Sequence, residues 1–408
     1  MLTCKGLHRW ISGVRLRAVK ATLALAVALA LAILVTPSMQ SQTFTILYGF
    51  KRTGDGGSPQ ASMLWGPGSN LYGTTFLGGD PVCACGTIFQ LVPGGAYTVL
   101  HTFAGTDGAN PDSTLIADAK GNLYGTTSQG GNGLPHDGTI FKLAPPAQQG
   151  GNWTETVLHT FKGGADGANP YAGLIQDAAG NFYGTTTRGG HASDGTVFEL
   201  DTTGKETVLY SFHGSPDGAY PYASLLRDES GNLYGTTFEG GLYDYGTVFK
   251  LDTTGKETVL HSFAGGRDGA YPNAGLTLDA NGDFFGTTNE GGDANSDGTI
   301  FKIDSAGAFS VFYTFTGGTS GASPESGVVV DAAGNLYGAT NEGGDHDNDG
   351  TVYMIDQSGS LTILHRFSAG PGGAYPYAGL VLDPAGNLYG NTVGVGPFGN
   401  GEVYKMVP

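Results

Sequence analysis

The chain has 408 residues, 72 of them glycine, with only 13% charged residues and a formal net charge of −17. Glycine is thus more than twice its usual share of about 7%, and charge about half the usual ~25%. This is the composition of many short strands joined by tight turns. A body this acidic repels phosphate backbones and anionic lipid, which excludes nucleic acid and a membrane surface as partners.

Residues 1–20 carry Lys5, Arg9, Arg15, Arg17 and Lys20 and no acid. The run 21–35, ATLALAVALALAILV, is apolar apart from Thr22, and TPSMQSQ follows. This is the pattern of an export signal, and the run is short for a membrane span of about 20 residues. Residues 1–42 are expected to be a signal peptide, cleaved after Ser38 or Ser41, or a retained signal anchor with a short linker. Cys4 would leave with the signal.

The rest is organised by GNLYGTT, cleanest at Gly231–Thr237. Counted from its second residue, the motif starts at Asn70, Asn122, Asn181, Asn232, Asp283, Asn335 and Asn387, in steps of 52, 59, 51, 51, 52 and 52. Such regularity marks an array of one supersecondary unit. One unit reads as four strands: Ala223–Asp228, Asn232–Thr237, Gly246–Asp252 and Lys256–Phe263, each about six residues and bounded by Gly, Asp or Asn. Four antiparallel strands per ~50 residues is one propeller blade. The first strand opens with small residues (Ala172-Gly173, Ala223-Ser224, Ala274-Gly275, Ser326-Gly327, Ala378-Gly379), as convergence on an axis requires.

The last unit stops at Pro408 without a fourth strand, whereas Thr43–Phe50, TFTILYGF, matches a fourth strand and nothing else. The expected fold is all-β: a seven-bladed β-propeller over residues 43–408, its ring closed by the N-terminal strand completing the last blade. The 59-residue step comes from an insertion, Ala144–Trp153, between third and fourth strands. A longer loop there is entropically cheap.

The pattern GNLYGTT-x-x-GG…DGT-[VI]-F-K-[LI]-D…TVLHSF…DGA-[YN]-P resembles the GloVer tandem repeat of exported bacterial proteins, over about residues 43–408. The resemblance implies an exported, secreted or cell-surface protein, and brings no activity and no catalytic residues. The chain ends within the last blade, so an anchor is expected only at the N-terminus.

In a propeller the second-to-third and fourth-to-first connections share one face. Here those are the long loops, GGxxxxDG and GxxDGAYP. Function on such folds sits on loops held by a rigid scaffold. Beside the repeated proline of the second loop the residues vary: Ser58, Asn110, Asn169, Tyr220, Tyr271, Ser323 and Tyr375 precede it, and Gln60, Asp112, Tyr171, Tyr222, Asn273, Glu325 and Tyr377 follow it. These should ring the axial opening, where tyrosines beside amides and carboxylates stack on sugars and bond hydroxyls. The competing reading packs the tyrosines between blades, with the residue before proline held extended.

Two loops have the form D-x-[DN]-x-D-G: Asp345, Asp347, Asp349 and Asp293, Asn295, Asp297. Oxygen ligands at this spacing suit calcium. The following residues read as strand, which excludes an EF-hand. Asp-Gly recurs at Asp137 and Asp194 without the earlier acids, where it is a turn.

Asp55, Asp107, Asp166, Asp217 and Asp268 each precede Gly and read as Asx-turns. His101, His159, His261 and His365 alternate with Tyr48, Tyr210 and Tyr313 at one repeat position, so they read as structural. Cys83 and Cys85, the only cysteines after the signal, are expected to form a local disulfide, because export favours oxidation.

The function expected is a monomeric binding scaffold for a glycan or a surface protein, with calcium as the one candidate cofactor. The alternatives are a polysaccharide hydrolase or lyase with an acidic axial site, and a structural envelope protein.

Overall fold

The computed structural model describes residues 42–408 except 133–135, 149, 345–346, 369 and 371. The expected export segment, apart from Gln42, lies outside the described residues. Among these, no helix is long and apolar enough to cross a membrane. The propeller runs from Thr43 to Pro408.

Each blade is built outward from the repeated motif. Asp228 closes the turn before it. Its carboxylate accepts hydrogen bonds from the Asn232 amide (2.8 Å), the Asn232 Nδ2 (2.7 Å) and the Tyr234 hydroxyl (3.1 Å). Gly231 lies in this turn at φ +88°, a conformation costly to any residue with a Cβ. Leu233 then enters the core. Gly235 leaves room for the ring across the ladder: a Cβ there would stand 2.7 Å from Phe249 Cζ. Thr236 Oγ1 donates to the Ala274 carbonyl of the next blade (3.0 Å), and Thr237 Oγ1 bonds Thr247 Oγ1 (2.9 Å).

The four strands, from the axis outward, are Leu226–Arg227, Leu233–Thr237, Thr247–Leu251 and Glu257–Ser262, all antiparallel. The innermost ladder has two residues, not the six expected from sequence. The reason is visible at Ala223: its carbonyl accepts a hydrogen bond from Thr185 Oγ1 of the preceding blade (3.3 Å). The backbone around the axis is thus spent on the neighbour and leaves the ladder of its own sheet. Small side chains permit this, since a Cβ on Gly275 would lie 3.1 Å from the Ser224 carbonyl oxygen.

Seven such sheets form the ring. We number blades 1 to 7 by their second strands: Asn70–Thr75, Leu123–Thr127, Phe182–Thr186, Leu233–Thr237, Phe284–Thr288, Leu336–Thr340 and Leu388–Thr392. The core lies between blades. Phe212, ending the outer strand of blade 3, is fully buried and packs edge-on against Phe249 of blade 4, at 5.1 Å between centroids, among Val197, Leu225, Leu233 and Leu251. The same pair recurs round the ring, from Phe50–Phe89 to Phe367–Tyr404. Each burial of such a ring contributes roughly 2–3 kcal/mol.

The ring closes as the sequence predicts. Thr43–Gly49 pairs antiparallel with Glu402–Val407, from Thr43 opposite Val407 to Gly49 opposite Glu402, as the outer strand of blade 7. Phe44 also stacks on His365 of blade 6 at 3.8 Å. The insertion of blade 2 is not a free loop: Trp153 packs against the core shared by blades 1 and 2, with its ring 6.5 Å from that of Tyr72.

Candidate functional site

The two long loops of each unit pair with one another, as at Ala219–Glu239, so they do share a face. The repeated proline locks neighbouring blades there. Pro272 Cδ lies where a Cβ on Gly246 would reach it at 2.7 Å, so the glycine that opens the third strand of one blade and the proline leading into the next constrain each other.

The residue before proline is not extended. Ser58, Asn110, Asn169, Tyr220, Tyr271, Ser323 and Tyr375 all take a left-handed conformation, with φ from 51° to 60°. The cause is double pairing. The Tyr220 amide donates to the Asp194 carbonyl of blade 3 (2.8 Å), and its own carbonyl accepts from the Phe238 amide of blade 4 (3.1 Å). Two hydrogen bonds per unit, one to the preceding blade and one within the unit, offset the strain of about 1–3 kcal/mol.

This backbone divides the sequence-predicted site in two. The seven residues after proline, Gln60, Asp112, Tyr171, Tyr222, Asn273, Glu325 and Tyr377, all line a single axial cavity of about 580 Å³. The tyrosines before proline do not line it. Tyr271 stacks on Phe238 at 5.0 Å, and Tyr220 lies under the Arg188 guanidinium at 5.9 Å, both packing between blades. Tyr375 is 39% exposed. The cavity also takes in Phe76, Phe238 and Asn289, which sequence reasoning missed. Their signal was the position just after GTT, which varies from unit to unit while GTT persists.

Asp112 and Glu325 are the only charged side chains lining the cavity among the described residues. They enter on blades 2 and 6, on opposite sides of the axis. Burial pushes the Asp112 carboxyl up to about 7. Burial likewise raises Glu325, against the hydrogen bond it accepts from Asn273 Nδ2 (3.0 Å). Each acid has a tyrosine partner. Burial and then the Glu325 charge push Tyr377 up to about 12, and burial and then Asp112 raise Tyr171. Tyr171 and Tyr222 stand side by side at 5.6 Å, tilted by 58°. The wall thus offers ring faces, amide donors and two carboxyls, with no basic group among the described residues.

Each acidic loop turns one side-chain oxygen, of Asp293 and of Asn348, onto its own backbone. Asp293 Oδ1 accepts from the Asn295 (2.9 Å) and Ser296 (3.0 Å) amides, and Ser296 Oγ from the Gly291 amide (2.8 Å). Asp297 is raised by burial and then by Asp293. In the companion loop Asn348 Oδ1 accepts from the Gly343 amide, and Asp349 is buried at 2% exposure. Asp345 lies outside the described residues, and Asp347 makes interactions of its own. In the Asp293 loop the first acid thus caps the loop on itself, while Asp297 Oδ2 is buried without a hydrogen bond. Cys83 and Cys85 are disulfide-bonded with Cα atoms 5.1 Å apart, in the long loop of blade 1.

The histidine positions pair with the repeated aspartates: His101–Asp107 at 3.0 Å, His261–Asp268 at 3.2 Å, and in their tyrosine versions Tyr48–Asp55 at 2.8 Å and Tyr210–Asp217 at 2.6 Å. Asp55, Asp107, Asp166 and Asp268 also accept a backbone amide, but from a residue earlier in the chain (Lys51, Ala104, Lys162 and Ala264), whereas the Asx-turn expected from sequence takes its donor from further on.

No curated protein sequence matches the chain. Its fold is similar to the extracellular domain of the putative hybrid two component system BT3049 from B. thetaiotaomicron (13% identity, TM-score 0.56, covering 90% of this chain and 41% of that one). The extracellular domain of the putative one component system BT4673 of the same organism is also similar (11%, 0.53, 88% and 39%). So is PorZ, a surface component of the type-IX secretion system of Porphyromonas gingivalis (16%, 0.52, 86% and 47%). The chain spans less than half the length of each, and at these identities the likeness shows the fold alone. The profile of the Gloeobacter/Verrucomicrobia repeat matches residues 32–241 and 222–408. With both matches together spanning the whole propeller, the chain belongs to the Gloeobacter/Verrucomicrobia repeat family.

Proposed function

We propose that the protein is an exported binding scaffold that takes an uncharged glycan into its axial cavity. The observation that carries this reading is the convergence of Tyr171, Tyr222 and Tyr377 with Gln60, Asn273, Asp112 and Glu325 on one cavity. Ring faces pack on the apolar faces of sugars, and amides and carboxyls bond their hydroxyls. Two acids without a basic neighbour disfavour anionic chains. An extracellular or cell-surface setting is supported by the export-signal pattern and by the extracellular placement of the structural neighbours. A protein partner on the same face is the other form of this reading.

The test is co-sedimentation with a panel of insoluble polysaccharides, in calcium and in chelator. Binding to neutral members, lost at least tenfold in the Tyr222→Ala/Tyr377→Ala double variant, supports the cavity. Chelator sensitivity would bring in the Asp293 and Asp345 loops. Failure to bind any member sinks the glycan reading.

One observation favours a second reading. Asp112 and Glu325 are the only acids among the seven residues after proline, in different environments across the cavity. Two carboxyls flanking a cavity are the equipment of a polysaccharide-cleaving enzyme. Release of new sugar ends, abolished in Asp112→Asn and in Glu325→Gln, would establish it. A structural envelope protein would show neither binding nor release.

A further inference from the structure

We propose that His159, Asp166 and Glu206 form a divalent-metal site at the outer seam between blades 2 and 3. One ligand atom from each lies within 4.8 Å of the others. The three come from separate repeat positions: the end of one outer strand, the Asp of the following loop, and the first residue of the next blade's outer strand. Three other seams fill the last position with a ring, as where Phe309 stacks on His261 at 3.5 Å and Tyr97 on Tyr48 at 3.8 Å, one carries Leu361, and Glu257 stands beside Tyr210 rather than a histidine. His, Asp and Glu coincide at two seams only, and these two differ. Between blades 1 and 2, His101 Nε2 hydrogen-bonds Asp107 Oδ2 at 3.0 Å. Between blades 2 and 3 the separation is 3.4 Å, and His159 Nε2 is buried without a hydrogen bond. Glu206 Oε1 is also buried without one, as is Glu155 Oε1 at the other seam, so the difference between the two lies at the histidine. Asp166 is held in place by the Lys162 amide (2.8 Å), which leaves it aimed at the pair.

An imidazole nitrogen and a glutamate oxygen are therefore buried without hydrogen bonds beside Asp166, and no lysine or arginine forms an ion pair with either carboxylate among the described residues. A nitrogen and two carboxylate oxygens are a donor set for Zn²⁺ or a similar first-row divalent cation. Coordination at about 2.0–2.2 Å needs only small inward side-chain rotations from the present spacing. The side chains of His159 and Asp166 remain 15% and 23% exposed, enough for entry and for water in the remaining position. The ion would tie the outer strand of blade 2 to that of blade 3, and the inference stands apart from any reading of the axial cavity.

The test uses the full chain, stripped with chelator and titrated with Zn²⁺, and with Co²⁺ for its visible absorbance. The expected result is one equivalent bound, a d–d spectrum of mixed nitrogen and oxygen ligation, and a raised Tm. Glu206→Gln and His159→Gln should each weaken binding at least tenfold, while His101→Gln leaves it unchanged. Glu206→Gln removes a buried charge and keeps the shape, so folding is preserved, and circular dichroism checks it. Absence of a stoichiometric step, or a step unchanged in Glu206→Gln, overturns the site. So does a Tm that responds to pH but not to Zn²⁺, which would mean that the carboxyls share a proton.

Discussion

Glu402 is the residue that breaks the repeat. It stands opposite Thr392, where other third strands begin with the threonine that bonds its partner across the ladder, as Thr247 bonds Thr237. Glu402 is fully buried, both its carboxylate oxygens lack a hydrogen bond, and Thr392 Oγ1 lacks one too. Burial pushes its carboxyl up to about 7. Ionising it inside the fold is unfavourable. Glu402→Thr should restore the repeated threonine pair and stabilise the protein by about 1–3 kcal/mol at pH 8. The gain should shrink toward pH 5, where the carboxyl is protonated. Denaturant melts at the two pH values decide it, and a loss of stability at pH 8 would show that the side chain has an unseen partner.

At the scale of the element, the turn before the second strand decides where each blade begins. Asp228 holds it with three hydrogen bonds, and these outweigh burial to keep its carboxyl below the usual range. Asp228→Ala frees the Asn232 amide and the Tyr234 hydroxyl together. We expect a loss of about 2–3 kcal/mol, read from chemical unfolding. The sequence showed this turn directly, because Asp, Asn and Gly are local turn formers. It misjudged the next stretch, Ala223–Leu225, because that backbone bonds a neighbouring blade some 40 residues away. The left-handed pre-proline residues were hidden for the same reason. Local sterics favour extension before proline, and two hydrogen bonds, one across the seam and one to the second long loop of the same unit, override them at Tyr220 and its counterparts.

For the whole molecule, two sets of carboxyls titrate in opposite senses. Burial pushes Glu155 and Glu257 up to about 7, whereas their unfolded values lie near ~4.3. Over that interval the folded state binds more protons, so stability falls as pH rises from about 4.5 to about 7. Asp118, Asp177, Asp228, Asp331 and Asp383 are held low by the turn hydrogen bonds despite burial. They contribute stability above their unfolded value, lost as pH falls through the folded one. Tm should therefore peak in weakly acidic solution, at about pH 4–5, and decline toward pH 8. Thermal melts from pH 3 to 8 check this, and a Tm that climbs steadily to pH 8 contradicts it.

The period of GNLYGTT, the small residues at the axis and the orphan strand Thr43–Gly49 were enough to determine seven blades and the way the ring closes. Periodicity, turn chemistry and side-chain volume are local, and they repeat. Which of the variable residues meet was decided only in three dimensions. Tyr220 and Tyr222 sit either side of one proline, and only Tyr222 lines the cavity, because the left-handed turn at Tyr220 sends successive side chains to different places. Asp112 and Glu325, far apart in the chain, came to line one cavity from opposite sides, and His159, Asp166 and Glu206 one seam, through the closure of the ring. No spacing along the chain records contacts made between blades.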